Sequence, residues 1–259
     1  ALIANDNSAE TTDSTGLTAF GADGFTVGAD TDYSDTTGTG MVAWNWKAGG
    51  AASTNEDGSQ DSEVSANPTA GFSIVSFLAG DPAAGNMTVG HGLSQAPTMI
   101  ILKDRDRDYG TNVYQADICT GGAGRLVLNS SDDYESGALP FNGVPTPSVF
   151  TFNNAFGSTE NDEVIAYCFH SVEGYSKVGI YEGNGNADGA FIYTGFKPAY
   201  VMNKGADENS MYWMIRDNER DPYNVVDHNL SANTTAATVD EDVMDFVSNG
   251  FKWRASASY

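Results

Sequence analysis

The sequence predicts an all-β protein made of tandem β-sandwich or jelly-roll-like repeat domains, each of about 100 residues. Short apolar runs alternate with clusters of Gly, Pro, Asn and Asp, and no long stretch shows helical periodicity. The 259 residues include 29 glycines and 11% aromatic residues but only 18% charged residues. This composition is typical of many short strands joined by tight turns.

An internal repeat is the third observation behind this prediction. The segment GFSIVSF at 71–77 is echoed by GYSKVGIY at 174–181, and PTMIILK at 97–103 is echoed by PAYVMNK at 198–204. Four pairs of matching positions lie 101 to 104 residues apart: Gly71 and Gly174, Pro97 and Pro198, Asn129 and Asn233, and Phe150 and Phe251. Self-similarity at a nearly constant period indicates a repeat architecture.

The repeat divides the chain into four segments. Residues 1–48 are predicted to be the closing part of an upstream β domain, because GFTVG and VAWNW echo VFTF and VIAYCF. Residues 49–70, whose only bulky apolar residue is Val64, are predicted to be a linker or a long exposed loop. Residues 71–172 are predicted to form β-sandwich repeat 1, and residues 173–259 to form β-sandwich repeat 2, which the period predicts to be incomplete at its C-terminal end.

Two segments carry specific strand predictions. MVAWNW at 41–46 is predicted to be a strand with Trp44 and Trp46 on one face, since alternate strand residues share a face. The segment 174–181 is predicted to be the opening strand of repeat 2.

One segment, 238–250, is open between helix and non-helix. Thr238 and Glu241 have the spacing of a capping box, which favours a helix. The matching segment before Phe150 is rich in Pro and Gly, which argues against one.

Charge and cysteine content exclude several classes of protein. Twelve basic against 35 acidic residues give a formal charge of −23, which argues against binding nucleic acid phosphates or anionic membrane surfaces. No run of about 18 apolar residues exists, so no membrane insertion is expected. The two cysteines, Cys119 and Cys168, have no neighbours at metal-ligand or redox spacing and are predicted to be buried free thiols.

The sequence nominates no catalytic residues, so we expect a protein that is not an enzyme. The three histidines, His91, His170 and His228, lie in neither a G-x-S-x-G nor an H-E-x-x-H motif and are predicted to be structural or surface residues. Cys168 and His170 would share a strand face, but no third group completes a catalytic set. The 35 acidic residues offer no distinct glycosidase pair.

Glycine-rich stretches predict turns, and no cofactor is expected. Gly183, Gly185 and Gly189 follow a strand-like run but lead into another one, FIY, where a dinucleotide fold needs a helix N-terminus. Their Asn-Gly steps suit a hairpin loop, and the stretch 121–124 is interpreted in the same way.

Two acidic clusters leave metal binding open. Carboxylates at alternating positions can converge on calcium, although the sequence favours solvated loops because neither cluster matches an EF-hand. The clusters are Asp30, Asp32 and Asp35, and Asp104, Asp106 and Asp108.

Four aromatic residues of the second half could line a sugar-binding surface. Aromatic residues that alternate in strands more often fill a core, which is the interpretation we favour. These residues are Tyr200, Tyr212, Trp213 and Tyr223.

Several motifs together resemble a repeat domain of tail-fibre and other virion structural proteins of tailed bacteriophages, especially marine phages. They include VAWNWKAGG, VGHGLSQAPTMIILK, EGYSKVGIYEGNG, YTGFKPAYVM and FVSNGFKWR, and the resemblance runs from about residue 17 to the C-terminal part of the sequence. The resemblance implies a non-enzymatic, all-β protein at the virion surface, assembled in the host cytoplasm.

The resemblance also implies partners. These are copies of the chain itself, in a homotrimer or other symmetric assembly, other virion proteins, and a glycan or protein of the host surface. A capsid decoration or head-fibre protein and a carbohydrate-binding surface protein remain alternatives.

Overall fold

The protein is all-β, as the sequence predicts. The structure, a computed structural model, describes residues 1–34, 38, 40–137 and 139–255. Its strands are β1 (Leu17–Phe20), β2 (Phe25–Val27), β3 (Ser53–Asn55), β4 (Ser62–Asn67), β5 (Phe72–Leu78), β6 (Asn86–Gly90), β7 (Met99–Asp104), β8 (Asn112–Gln115), β9 (Gly124–Val127), β10 (Glu135–Ser136), β11 (Val149–Asn153), β12 (Glu163–Phe169), β13 (Phe191–Tyr193), β14 (Tyr200–Asn203), β15 (Met214–Asp217), β16 (Val226–Ser231), β17 (Val239–Val247) and β18 (Gly250–Trp253). Two single-turn 3-10 helices, Pro82–Ala84 and Asn154–Phe156, complete the regular structure of the described residues. None of the helices described is long and apolar enough to cross a membrane.

The largest sheet has eight antiparallel strands in the order β10-β9-β8-β7-β12-β5-β4-β3. β12 lies in its middle and pairs with β5 from Glu163↔Leu78 to Phe169↔Phe72, and with β7 on its other side. Val164, Ala166 and Cys168 are fully buried, while the residues between them are half-buried. This alternation places one face of the sheet on the core, as a strand periodicity of two requires.

A two-stranded sheet, β6 paired with β11, covers that buried face. Phe150 and Phe152 of β11 are fully buried, and their rings lie 5.9 and 5.3 Å from the ring of Phe77 on β5. Burying a phenylalanine side chain contributes roughly 1.5–3 kcal/mol, so these contacts are a main source of stability in the N-terminal half.

The C-terminal half forms a six-stranded antiparallel sheet in the order β13-β18-β17-β16-β15-β14. Its core contains Val201, Val226, Val243, Met244, Phe246 and Phe251. In the six-stranded sheet, β14, β15 and β16 form an antiparallel meander. In the large sheet, β7, β8 and β9 form one as well. Ile192 of β13 lies opposite Phe251 of β18, as Val89 of β6 lies opposite Phe150 of β11.

A small apolar cluster joins the two sheets. Trp213 packs with Val113, Leu126 and Leu128 of the N-terminal half, and its Nε1 donates a hydrogen bond to the carbonyl oxygen of Val127 at 2.9 Å. Because Trp213 is 5% exposed, this indole is part of the core, as the sequence favours.

The segment 49–70, expected to be a linker or a long exposed loop, instead contains β3 and β4 of the large sheet. β4 pairs with β5 along its whole length, from Ser62↔Phe77 to Asn67↔Phe72. Ser62 and Val64 are buried in alternation, and the Ser62 hydroxyl donates to the carbonyl oxygen of Gly90 at 2.8 Å. Small polar side chains whose hydrogen bonds are satisfied can therefore form a strand that hydrophobicity does not indicate.

Two strand predictions are wrong. Residues 41–46 form no strand, and their two tryptophans instead contact the C-terminal sheet through their rings. Residues 174–181 also form no strand. β5, which matches this segment in sequence, is hydrogen-bonded to a strand on each side, whereas 174–181 belongs to no sheet in the described part of the chain.

The segment 238–250, for which the sequence left helix and non-helix open, contains the strand β17. β17 pairs with β16 on one side and β18 on the other, and Val243, Met244 and Phe246 are buried. The capping-box spacing of Thr238 and Glu241 is overridden because packing in the sheet outweighs local helix propensity.

Candidate functional site

Four ionisable side chains gather where β16 pairs with β17. Asp227 and His228 belong to β16, Asp240 lies opposite His228 on β17, and Asp221 comes from the preceding loop. Nδ1 of His228 hydrogen-bonds with Asp221 Oδ1 and lies 3.1 Å from Asp227 Oδ1, while its Nε2 lies 3.7 Å from Asp240 Oδ1. A carboxylate only accepts, so Nδ1 carries a proton in this arrangement.

The buried carboxylate of Asp221 is fixed by the backbone. Its Oδ2 accepts hydrogen bonds from the main-chain nitrogens of Asp227 at 3.1 Å and His228 at 2.9 Å. The loop is thereby tied to the start of β16, and Asp221 presents its other oxygen to the imidazole.

Proximity of these charges shifts two pKa values. The hydrogen bond that His228 donates to Asp221 raises the pKa of His228 above its ordinary value, and the neighbouring carboxylates act in the same direction. Burial and the hydrogen bond to Asp221 raise the pKa of Asp227. Opposite charge favours the imidazolium, and like charge disfavours a second carboxylate.

This cluster is the one place in the described residues where three side chains could hold a metal ion. One donor atom each from Asp221, Asp227 and His228 lies within 4.8 Å of the others. Imidazole and carboxylate donors suit zinc and other borderline divalent cations better than calcium, which prefers oxygen ligands alone. The same three side chains also satisfy one another around the proton on Nδ1, so the cluster is complete without an ion.

The other two histidines are buried structural residues. Nε2 of His91 hydrogen-bonds with the carbonyl oxygen of Thr146 at 3.0 Å, and its Nδ1 accepts from the main-chain nitrogen of Leu93 at 3.1 Å. Burial lowers the pKa of His91. Nδ1 of His170 contacts the carbonyl oxygen of Ser171 at 2.9 Å.

Both cysteines are buried free thiols, as predicted. Burial raises the pKa of Cys168 to about 12 and also raises the pKa of Cys119. Because the thiolate is the reactive form, neither sulfur is activated as a nucleophile.

Carboxylates of both acidic clusters that the sequence singles out accept hydrogen bonds within the chain. Each carboxylate of the second cluster accepts from a different group: Asp104 from Asp106 N, Arg107 N and the Ser158 hydroxyl, Asp106 from Glu163 N, and Asp108 from Ala9 N. In the first cluster, Asp30 Oδ1 accepts from the main-chain nitrogen of Asp32 at 2.8 Å, and Asp35 lies outside the described residues.

The glycine-rich loop is held by asparagine side chains. Asn184 Oδ1 accepts from the main-chain nitrogen of Asn186, and Asn186 Oδ1 accepts from that of Asp188. Gly185, at φ 62°, supplies the left-handed backbone between Gly183 and Gly189. The loop leads into β13, as expected for turn chemistry.

A second cluster is aromatic and joins the N-terminal segment to the C-terminal sheet. The Tyr200 ring lies 5.8 Å from Trp44 and 5.6 Å from Trp46, both edge-on, and Trp46 also lies 6.4 Å from Phe169. Edge-to-face pairs at these distances are favourable, so the ring contacts hold residues 44–46 against β14. We name Trp44, Trp46, Tyr200 and Phe169 the aromatic junction.

The four aromatics nominated from sequence do not form one surface. Trp213 is buried and Tyr200 is half-buried, whereas Tyr212 is 44% exposed and Tyr223 is 84% exposed. The core interpretation therefore fails for Tyr212 and Tyr223. Sequence reasoning also missed the His228 cluster, whose one local signal is the Asp227-His228 neighbour pair.

These features define an antiparallel all-β protein with an acidic surface, one histidine–carboxylate cluster in the described residues and an aromatic junction. The sequence matches the family described as Domain of unknown function (DUF7483) over residues 1–259, and the chain belongs to that family. No curated protein matches the sequence significantly, and neither does any solved structure.

Proposed function

We propose that the chain is a structural protein of a bacteriophage particle, a tail fibre or fibre-like appendage that contributes to particle architecture and host attachment. The observation that carries this proposal is the run of phage-like motifs, EGYSKVGIYEGNG and YTGFKPAYVM. Several of their aromatic residues are displayed: Tyr175 is 62% exposed, Tyr181 39% and Tyr193 65%. Exposed aromatic side chains are enriched at protein interfaces, which suits a module that binds copies of itself or other virion proteins.

The proposal includes a tandem repeat of about 100 residues. Asn129 Oδ1 accepts from the main-chain nitrogen of Thr111 at 2.8 Å, and Asn233 Oδ1 accepts from that of Trp213 at 3.0 Å. The flanking main-chain bonds also match, because Leu128 N donates to Thr111 O and Ala232 N donates to Trp213 O. These paired contacts support two related units.

A second pair of matching residues supports the same repeat. Lys103 Nζ donates to the carbonyl oxygens of Asn7 and Tyr109, and Lys204 Nζ donates to those of Ser131 and Gly205. Burial lowers the pKa of both lysines. In each unit the lysine ammonium group therefore joins two main-chain carbonyl groups from separate segments of the chain.

A non-enzymatic role fits the chemistry of the described residues. The thiols are buried, His91 and His170 each have a ring nitrogen at a backbone carbonyl oxygen, and His228 lies among carboxylates. The acidic surface suits a particle that works in salt water, where charges are screened beyond about 10 Å.

The test is the location and stoichiometry of the chain in the particle. Immunogold labelling of intact virions should place the signal on the tail or its fibres, and mass photometry in about 0.5 M NaCl should show a symmetric oligomer. Labelling of the head would instead favour a capsid decoration or head-fibre protein. A strictly monomeric chain would contradict an oligomeric appendage.

Carbohydrate binding is a second candidate function, favoured by the exposed Tyr212 and Tyr223. Flat aromatic faces in solvent can stack on sugar rings through their apolar area. Binding of the full chain to host polysaccharide that is lost in Tyr223→Ala and retained in Phe20→Ala, another exposed aromatic, would support it. Equal binding by both variants would count against Tyr223 as a sugar contact.

A further inference from the structure

The His228 cluster, formed by Asp221, Asp227, His228 and Asp240, contains more negative charge than its own residues neutralise. His228 lies within ion-pair distance of all three carboxylates. An imidazolium carries at most one positive charge, so two negative charges remain uncompensated when all four groups are ionised. Carboxylates that share one site repel one another unless a proton or a cation lies between them. The charge balance therefore favours a divalent cation.

An irregularity in the pairing of β16 with β17 gathers the donor atoms. Val226 lies opposite Met244 and His228 lies opposite Asp240, so two steps along β16 correspond to four along β17. Successive residues of a regular strand point to opposite faces of the sheet. Here His228 Nδ1 nevertheless lies 3.1 Å from Oδ1 of the preceding Asp227. Bulges are common beside functional sites, because they redirect side chains in this way.

The separation of the donor atoms fits a metal ion. Asp221, Asp227 and His228 each offer one donor atom, and the three atoms lie within 4.8 Å of one another. Zinc binds nitrogen and oxygen ligands at about 2.0–2.2 Å, so neighbouring ligand atoms of a tetrahedral site are about 3.4 Å apart. The 3.1 Å between His228 Nδ1 and Asp227 Oδ1 is close to this value. Asp221 and His228 contact each other through a hydrogen bond, whose proton a metal ion would replace.

Two contacts outside the donor atoms hold the ligands in place. Asp221 Oδ2 accepts from the main-chain nitrogens of Asp227 and His228, which leaves Oδ1 facing the imidazole. On the other side of the ring, His228 Nε2 lies 3.7 Å from Asp240 Oδ1. A carboxylate there favours a proton on Nε2 and leaves the Nδ1 lone pair for a metal ion, as is usual for histidine ligands. The His228 side chain is 43% exposed, so an ion can enter from solvent.

We propose that Asp221, Asp227 and His228 bind Zn²⁺ or a divalent cation of similar ligand preference, with Asp240 as a residue that positions the imidazole. In the metal-free chain the proton on Nδ1 holds the same place, and binding of the ion releases it. Because Asp221 belongs to the loop between β15 and β16, the bound ion joins that loop to β16 and stabilises the C-terminal sheet. Such a site is independent of the proposed repeat and of a location in the virion.

Isothermal titration calorimetry of the full chain tests the proposal. The protein is stripped of metal with a chelator, exchanged into chelator-free buffer with about 0.5 M NaCl to screen its acidic surface, and titrated with ZnCl₂. We expect one zinc ion per chain, with calcium bound about tenfold more weakly or worse, because calcium prefers oxygen ligands alone. Saturating zinc should also raise the melting temperature by about 5 °C, since an ion that binds only the folded state stabilises it.

Variants that remove one ligand show whether the ion lies in this cluster. His228→Gln and Asp227→Asn should each weaken zinc binding by about 100-fold or more. The matched control is Asp32→Asn, which removes an exposed carboxylate from a different acidic loop and should leave the affinity within about twofold. A cooperative melting curve in chelator shows that each variant is folded, so a lost affinity reports the ligand and not unfolding.

Asp240→Asn tests the positioning role separately. It should weaken zinc binding by about tenfold, while the visible absorption spectrum of bound Co²⁺, which reports the ligand atoms, stays unchanged. An unchanged affinity in this variant would reject the positioning role. No zinc binding by the folded chain, equal affinities in the native chain and His228→Gln, or tighter binding of calcium than of zinc would overturn the proposed site.

Discussion

The Trp44 indole donates a hydrogen bond from Nε1 to Asp217 Oδ2 at 3.2 Å, joining positions 173 residues apart in the chain. The guanidinium of Arg220 lies 5.7 Å from the centre of the same indole and donates from Nε to Asp217 Oδ2 at 2.7 Å. Burial alone would raise the pKa of Asp217, but the hydrogen bonds and charge of Arg220 together lower it below its ordinary value. Asp217 is therefore an anion held between an arginine and a tryptophan.

Replacement of Trp44 should separate its ring contacts from its hydrogen bond. Trp44→Phe keeps an aromatic ring against Tyr200 and loses the donor, so we expect a loss of about 0.5–1.5 kcal/mol in the free energy of unfolding. Trp44→Ala also removes the ring and should cost more, about 1–3 kcal/mol for a half-buried aromatic. Equilibrium denaturation measures both values.

The control for Trp44 is Phe20→Ala. Phe20 is 80% exposed, and a surface substitution of this kind should change stability by less than about 0.5 kcal/mol. If Trp44→Ala were as neutral as Phe20→Ala, the contacts of Trp44 with the C-terminal sheet would contribute nothing to folding.

His228 and His91 should titrate on opposite sides of the ordinary histidine pKa, about 6.5. The hydrogen bond with Asp221 raises the pKa of His228, whereas burial lowers the pKa of His91. Proton NMR of the imidazole C2–H signals across about pH 5 to pH 9 resolves both in one sample, with His228→Gln assigning the resonance. Two overlapping curves near the unfolded value would contradict the described contacts.

The raised pKa of His228 also predicts how stability depends on pH. The folded state binds this proton more tightly than the unfolded chain, so the contribution is fully present below the unfolded pKa and is lost as pH rises through the higher folded value. The charged groups facing the ring are Asp221, Asp227 and Asp240. Unfolding free energies measured at several pH values should show a loss through this window in the native protein that is absent in His228→Gln.

The two thiols should resist labelling in the folded protein. Cys168 has a pKa raised to about 12, and burial raises the pKa of Cys119 as well, so little thiolate forms near neutral pH. We expect a disulfide-exchange reagent to react slowly with the native chain and to titrate both thiols at once in denaturant. Rapid reaction of one thiol in the folded state would place it at an accessible surface.

Strands whose apolar residues alternate can be predicted from the sequence, whereas features that depend on which strands pair with one another cannot. Phe150 and Phe251 could be recognised because each occupies a buried position in an alternating run. β4 could not, because Ser62 and Ala66 are not bulky and their strand is specified by its hydrogen bonds to β5. β17 was ambiguous because its acidic first half resembles a helix start until its partners on both sides are known.

The His228 cluster was hidden for the same reason. Asp227 is adjacent to His228 in sequence, but Asp221 reaches it through a loop and Asp240 through the register of β16 and β17. The register of two paired strands decides which side chains face one another, and it cannot be predicted from composition or short motifs. In the sequence the three histidines are therefore isolated from one another and from Asp221 and Asp240.

Asn129 and Asn233 provide the sharpest test of the proposed repeat. Each side-chain oxygen accepts from a main-chain nitrogen at the start of the neighbouring strand segment, at 2.8 Å for Thr111 and 3.0 Å for Trp213. Asn129→Ala and Asn233→Ala each leave such a nitrogen without its acceptor, so each should lower the free energy of unfolding by about 1–3 kcal/mol. Asn142→Ala, which removes an exposed side-chain contact with Asn86, is the matched control and should be nearly neutral. Trp213 packs with Leu126 and Leu128 and is therefore connected to the Asn129 site, so the test compares the two single variants and does not rely on additivity in the double variant. A large cost at one asparagine and none at the other would mean that the resemblance between the units does not extend to what stabilises them.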